Sequence, residues 1–229
     1  MMEFLYHFFY ETCGISYENY PPIQLFFLAL GFVFWVMAYR EVLVGIHKYK
    51  IVEIPIIVCA MDLSWEFCYA FLLPNDFGKL FTYGCIAWFF LDLHINYHAI
   101  KYGKKLVTNA WIKSNYLPIY FFILIGSFFI TYFMKILAED DGLGLVSAYL
   151  INLVISGTYI YQILSFPEFR EKGFRFRVAW TKFLGTGSIT VACFLHYPTN
   201  YFLHTMCIMV FVMDILYIYL FKTYKPTTK

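Results

Sequence analysis

Seven apolar runs, each long enough to cross roughly 30 Å of hydrocarbon, leave this chain few options: it folds as membrane-spanning helices. The runs cover approximately residues 22–39, 51–73, 80–100, 117–137, 144–165, 179–197 and 201–221. Only 14% of the residues are charged, against about 25% in an ordinary soluble domain. That composition argues for a lipid environment and against a nucleic-acid partner. The reading is an all-α, polytopic seven-helix bundle in which residues 1–229 form one membrane-embedded domain.

Charge placement orients the bundle. Connections 40–50, 101–116 and 166–182, with the tail 222–229, hold every Lys and Arg except Lys79 and Lys135; Lys182 is counted with its connection. The opposite side carries Glu3, Glu11, Glu18 and the run Glu139-Asp140-Asp141, which reads as a solvated loop. By the positive-inside rule the N-terminus lies outside or lumenal and the C-terminus is cytosolic. The membrane is the endoplasmic reticulum in a eukaryote, or the plasma membrane of a bacterium. Residues 1–10 lack a basic leader, and Phe4, Leu5, Tyr6, Phe8, Phe9 and Tyr10 read as a short interfacial segment. Five of the cysteines fall within spans without CxxC spacing and read as small buried hydrophobes.

Polar groups in hydrocarbon are expensive, so those present are the site candidates. Span two repeats Cys59, Asp62, Trp65, Glu66 and Tyr69 at helical steps; span three repeats Cys85, Trp88, Asp92 and Asn96. Span seven offers Cys207, Phe211, Asp214 and Tyr217, and span five the uncharged Tyr149, Asn152, Ser156 and Tyr159. From the helical rise, Asp62, Asp92 and Asp214 lie roughly 16–20 Å below the outer ends and Glu66 about 10 Å. With no lysine assigned to a span, Glu66 and Asp214 have no intramembrane base, and protonated acids are the simplest expectation. Asp92 also reads as a structural partner, accepting from Trp88, Asn96 or a hydroxyl on a neighbouring helix, and Asp62 reads equally as support or catalyst.

Weaker signals complete the pass. His94 and His98 stand four apart, a spacing that suits a metal, but their place near the end of span three suits interfacial tips as well. His196 and His204 flank the outer turn in the same way. Lys172, Arg175 and Arg177 could draw anionic lipid or a diphosphate, although topology alone accounts for them. Neither an aspartate-rich diphosphate motif nor GxSxG, HExxH or a phosphate-gripping glycine loop occurs. No metal and no cofactor is expected.

Buried acids, 23% aromatic content and no cofactor signature fit a proton-initiated carbocation cyclisation. A neutral carboxylic acid protonates an alkene or epoxide, aromatic faces stabilise the cation, an apolar wall excludes water, and a base removes the last proton. Interfacial belts and interhelical packing account for many aromatics, so only Trp65, Tyr69, Trp88, Phe211 and Tyr217, which flank the acids, are singled out.

Trp65-Glu66-Phe67 with Tyr69-Ala70 in span two, and Asp214 in span seven, resemble the integral-membrane terpene cyclases of fungal meroterpenoid and indole-diterpene pathways and their bacterial relatives. The resemblance covers essentially the whole chain. It implies that Glu66 and Asp214, and no other residue, are the essential acids; Asp62, Asp92, Trp65, Tyr69, Trp88, Asn96, Phe211 and Tyr217 stand in support on the helix-face reading alone. It further implies a lipophilic, prenylated aromatic or indole substrate, often epoxidised and drawn from the membrane lipid. The alternatives are a seven-span proton-coupled transporter or receptor, and a subunit whose acids bind a neighbouring chain's Lys or Arg.

Overall fold

The computed structural model describes residues 7–15, 18–137, 140, 142–170 and 172–224, and these are helices and short connections with no β-strand among them. Seven long helices follow the apolar runs: α1 (Pro22–Tyr49), α2 (Ile56–Phe71), α3 (Lys79–Tyr102), α4 (Tyr116–Leu137), α5 (Leu145–Ser165), α6 (Phe176–His196) and α7 (Tyr201–Thr223). Five of them, α1 and α4 to α7, are long and apolar enough to cross a membrane. α2 has 16 residues, about 24 Å at the helical rise. α3 is longer but carries Asp92, His94, Asn96 and His98 within its apolar stretch. Phe26, Phe90, Phe122 and Phe202 are exposed on the outside, the side that meets lipid tails in a membrane bundle. His7–Thr12 form a π-helical turn; Phe4, Leu5 and Tyr6 of the expected interfacial segment lie outside the described residues.

Local chemistry sets the boundaries. Pro21 and Pro22 open α1 and Pro55 precedes α2, where a missing N–H is harmless. The α7 turn is capped by Asn200, whose side chain accepts from Leu203 N at 3.0 Å. Gly144, with φ +65°, turns the chain into α5. Asp140 then accepts from the N–H groups of Val146 at 3.1 Å and Ser147 at 3.2 Å, and from the Tyr69 hydroxyl at 3.3 Å. This corrects the solvated-loop reading for Asp140, which is buried because it satisfies first-turn N–H groups of a helix. Glu139 and Asp141 lie outside the described residues.

The helices close into a ring. α1 packs along α6, α6 on α7, α7 on α5, α5 on α2 and α2 on α3. Side chains complete the circuit between α3 and α1: Trp88 meets Phe32 and Tyr39, and the Tyr39 hydroxyl donates to Asp92 at 2.9 Å. α4 lies outside, against α2, where Ser64 Oγ donates to the Leu124 carbonyl at 2.8 Å. One buried apolar cluster draws on all the long helices except α4, including Val42, Val58, Ile95, Ile155, Val178 and Ile218.

α1 and α6 approach through small residues, as membrane helices commonly do. A Cβ at Gly31 would lie 2.5 Å from Ile189 Cγ1 and 3.0 Å from the Gly185 carbonyl oxygen, and one at Gly185 would lie 2.9 Å from Trp35 Cδ1. Gly31→Val therefore forces the two helices apart and should cost about 1–3 kcal/mol. A lowered melting temperature in detergent checks this; an unchanged melt refutes the close-packed seam.

Candidate active site

Inside the ring, four helices and the connection before α2 surround a small cavity of about 20 Å³: Trp35, Ala38, Tyr39 and Val42 of α1, Ile54 of the connection, Asp62 of α2, Ile155 and Tyr159 of α5, and Val178 and Lys182 of α6. That space admits about one water molecule. It is bounded by three aromatic rings, one acid and one ammonium group.

Lys182 is the principal correction to the sequence reading. α6 begins at Phe176, which places Lys182 almost two turns inside the helix with 2% of its surface exposed. Its Nζ donates to Asp214 Oδ1 at 2.7 Å, to Asp214 Oδ2 at 2.8 Å and to Ser156 Oγ at 2.8 Å. Ser156 Oγ in turn donates to Asp214 Oδ1 at 2.7 Å. An intramembrane base therefore exists, and Asp214 is ion-paired. The neighbours of Lys182 hid it: apolar and small residues flank it, and a helix start a few residues later would have left it at an interface.

Of the other acids only Asp62 lines the cavity; Glu66 and Asp92 lie behind its wall. Asp62 and Glu66 lie one turn apart on α2, and Asp92 faces them from α3. Asp62 and Asp92 each act electrostatically on Glu66, and all three act on the Tyr39 hydroxyl. Asp62 also feels Lys182, which joins the two walls across the cavity. Glu66 makes a hydrogen-bond contact with the Cys85 thiol, while its Oε2 is shielded from solvent with no hydrogen-bond partner among the described residues. Asp92 Oδ1 accepts from Tyr39, the hydroxyl on a neighbouring helix that its structural reading anticipates, and its Oδ2 is likewise unpartnered.

The supporting residues divide by position. Asn96 is a strut: its Nδ2 donates to the Cys59 carbonyl at 2.9 Å and the Asp92 carbonyl at 2.7 Å, and its Oδ1 accepts from Tyr120 at 2.8 Å. Trp88 packs 5.5 Å from Tyr39, beside Asp92. Tyr217 stacks 5.2 Å from Tyr159, extending the aromatic wall. Trp65 donates to Ser147 Oγ at 2.8 Å and packs on Tyr69, whose hydroxyl goes to Asp140, so this pair joins α2 to the start of α5. Phe211 departs from the expected shared face: it is 42% exposed and packs on Phe183. The helical step brings it near Asp214 in sequence but turns it toward the outside.

Sequence reasoning missed Tyr39, Trp35 and Lys182 because an aromatic on an apolar helix carries no local mark of lining a cavity. It also missed Glu41 and Glu53. Both acids are buried, Glu41 on α1 and Glu53 in the connection to α2; Arg175 Nη2 lies 2.8 Å from Glu41 and the Arg175 N–H donates to Glu53 at 3.2 Å. Arg175, read earlier as a possible anion site, is thus engaged by acids of its own chain.

Fold and site together define a multi-pass helical membrane protein with carboxylic acids facing an aromatic-walled interior. The chain matches the family described as Pyr4-like transmembrane terpene cyclases over residues 14–226, and it belongs to that family. It is therefore an integral, multi-pass membrane protein of the terpene cyclase class. A curated relative, terpene cyclase atmB of Aspergillus flavus, is 25% identical over 181 residues, spanning 76% of this chain and 70% of atmB. No solved structure matches.

Breaking a buried ion pair from one side strands a charge and costs about 3–5 kcal/mol. Lys182→Met and Asp214→Asn should each lower the melting temperature in detergent, and the Lys182→Met/Asp214→Asn double variant should recover a large part of the loss. Additive losses in the double variant would contradict the pairing.

Proposed function

We propose that this protein cyclises a lipophilic prenylated substrate by protonating its terminal epoxide or alkene from a buried carboxylic acid, without metal or cofactor in the reaction. Glu66 is the general acid. The observation that carries this assignment is its unsatisfied Oε2 within a group of three acids whose nearest cation, Lys182, is already committed to Asp214. A carboxylic acid with a proton to give can deliver it to the substrate, and the positive charge that forms on the substrate then stabilises the carboxylate left behind. Asp62, one turn away on α2, relays the proton back to it.

Asp214 has a different part. Paired with Lys182, it serves as the terminating base or as a counter-charge rather than as the acid. The pair also leaves no net positive charge at the cavity, where a bare ammonium would repel a carbocation. Trp35, Tyr39 and Tyr159 offer ring faces to the travelling cation, each worth up to about 2 kcal/mol when desolvated. A cavity near 20 Å³ does not hold a polyene, so substrate binding requires the ring to widen. The α1–α3 seam, joined chiefly by side chains, is the favoured place for it to open.

The family supports a membrane-dissolved terpenoid substrate; a prenylated phenol or indole is the proposed class. Seven spans, with the N-terminus lumenal or outside and the C-terminus cytosolic, complete the reading, since the basic connections then share one side. Reporter fusions at both termini test that orientation; equal reporter activity at the two ends would refute it.

Membranes carrying the protein are incubated with linear prenylated phenols and indoles, with and without the terminal epoxide. A product of unchanged mass and altered retention establishes cyclisation. Glu66→Gln should lower turnover about 10²-fold or more while the protein stays folded; full activity would remove Glu66 from the acid role. Unchanged substrate across the panel, together with proton-coupled uptake into vesicles, would favour a carrier instead.

A further inference from the structure

At the end of α1 and α3 where the basic connections emerge, His47, His94 and His98 converge. One potential ligand nitrogen from each lies within 4.8 Å of the others. Nε2 of His47 and Nε2 of His94 are 3.5 Å apart. Two imidazole nitrogens bound to one tetrahedral zinc ion at about 2.1 Å are separated by about 3.4 Å, so this edge already has the spacing of a coordination shell. His98 is more than nine-tenths buried, and its Nδ1 is shielded from solvent with no hydrogen-bond partner among the described residues. Ring packing sets the orientations: His98 sits edge-on to both His47 and His94 and stacks on Tyr102.

We infer that His47, His94 and His98 form a binding site for a single divalent transition-metal ion of the zinc type, bridging α1 to α3. Three neutral imidazoles are a donor set that zinc, nickel and copper accept and that calcium and magnesium do not. Two of the three ligands stand one helical turn apart on α3, and the third crosses from α1, so binding requires both helices. Three protein nitrogens leave a fourth tetrahedral position for water or an anion. Lys50 and Lys101 lie close enough to act on His98 electrostatically, which favours an anionic fourth ligand. The ion would fasten the end of the α1–α3 seam, and no step of the proposed cyclisation passes through it. The inference is independent of that cyclisation.

The test uses full-length protein purified in detergent through a tag without histidine, stripped with chelator and desalted. Zinc is added, excess is removed, and bound metal is measured by mass spectrometry alongside the melting temperature. The expected result is roughly one zinc per chain and a raised melting temperature that chelator reverses. The exposed ligands are substituted singly, His47→Ala and His94→Ala, so that the buried His98 itself stays in place; each should weaken zinc binding at least about tenfold. His204→Ala, which removes a histidine elsewhere, should bind as the parent does. Sub-stoichiometric zinc in the parent protein, or equal retention in all three variants, would overturn the site and leave an aromatic cluster only.

Discussion

The interior of this bundle is organised around the Lys182–Asp214 ion pair. Moving two charges out of water is unfavourable by several kcal/mol per ion even after relaxation, and attraction compensates only when geometry and hydrogen bonding are both good. Here the ammonium reaches both carboxylate oxygens and Ser156, and Ser156 returns a hydrogen bond to the carboxylate. The arrangement needs α5, α6 and α7 in register, since each supplies one member. It therefore specifies how half the ring assembles, in a medium where apolar side chains discriminate poorly between helix faces.

That pair also sorts the remaining acids. Four carboxylic acids, Asp62, Glu66, Asp92 and Asp214, stand at or beside the cavity, and of these four only Asp214 has a cation in direct contact. Asp92 has a phenol, Asp62 faces the cavity, and Glu66 has a thiol and an unpartnered oxygen. Enzymes divide acid and base roles between chemically identical groups by giving them unlike surroundings. On the proposed reading the division here is made by one lysine: it holds Asp214 as its partner, and the acids it does not contact are left to carry the proton chemistry.

Much of this was legible in the chain. Hydrophobic run length located the helices, because a run of about 20 apolar residues has few other uses. The helical step placed Asp62 and Glu66 on one face of α2 and Asp92 with Asn96 on one face of α3, because a buried acid stands out against hydrocarbon. Lys182 was not legible, for its meaning depends on where α6 begins, and helix starts shift by a few residues without altering the run. Asp140 was misread because an acid beside other acids looks solvated until the N–H groups it caps are seen. The partners Tyr39, Ser156 and Arg175 are separated from Asp92, Asp214 and Glu41 by dozens of residues, and no local pattern encodes such pairings.

The short α2 ties these features together. At 16 residues it is several residues shorter than a helix needs to cross hydrocarbon unaided. It is preceded by residues 51–55, a buried non-helical connection in which Glu53 accepts from the Arg175 backbone. Irregular backbone at such depth persists only where protein covers it, and α1, α6 and the Arg175–Glu41 pair provide that cover. The connection fixes where α2 starts, and so the height at which Asp62 faces the cavity and Glu66 stands one turn beyond it. A longer α2 beginning at residue 51 would turn Ile51 to Pro55 into helix, shift those acids relative to Lys182 and Asp92, and separate the two walls that the cavity now joins. The position of the acids is thus set from the basic end of the bundle, by residues that take no part in the chemistry.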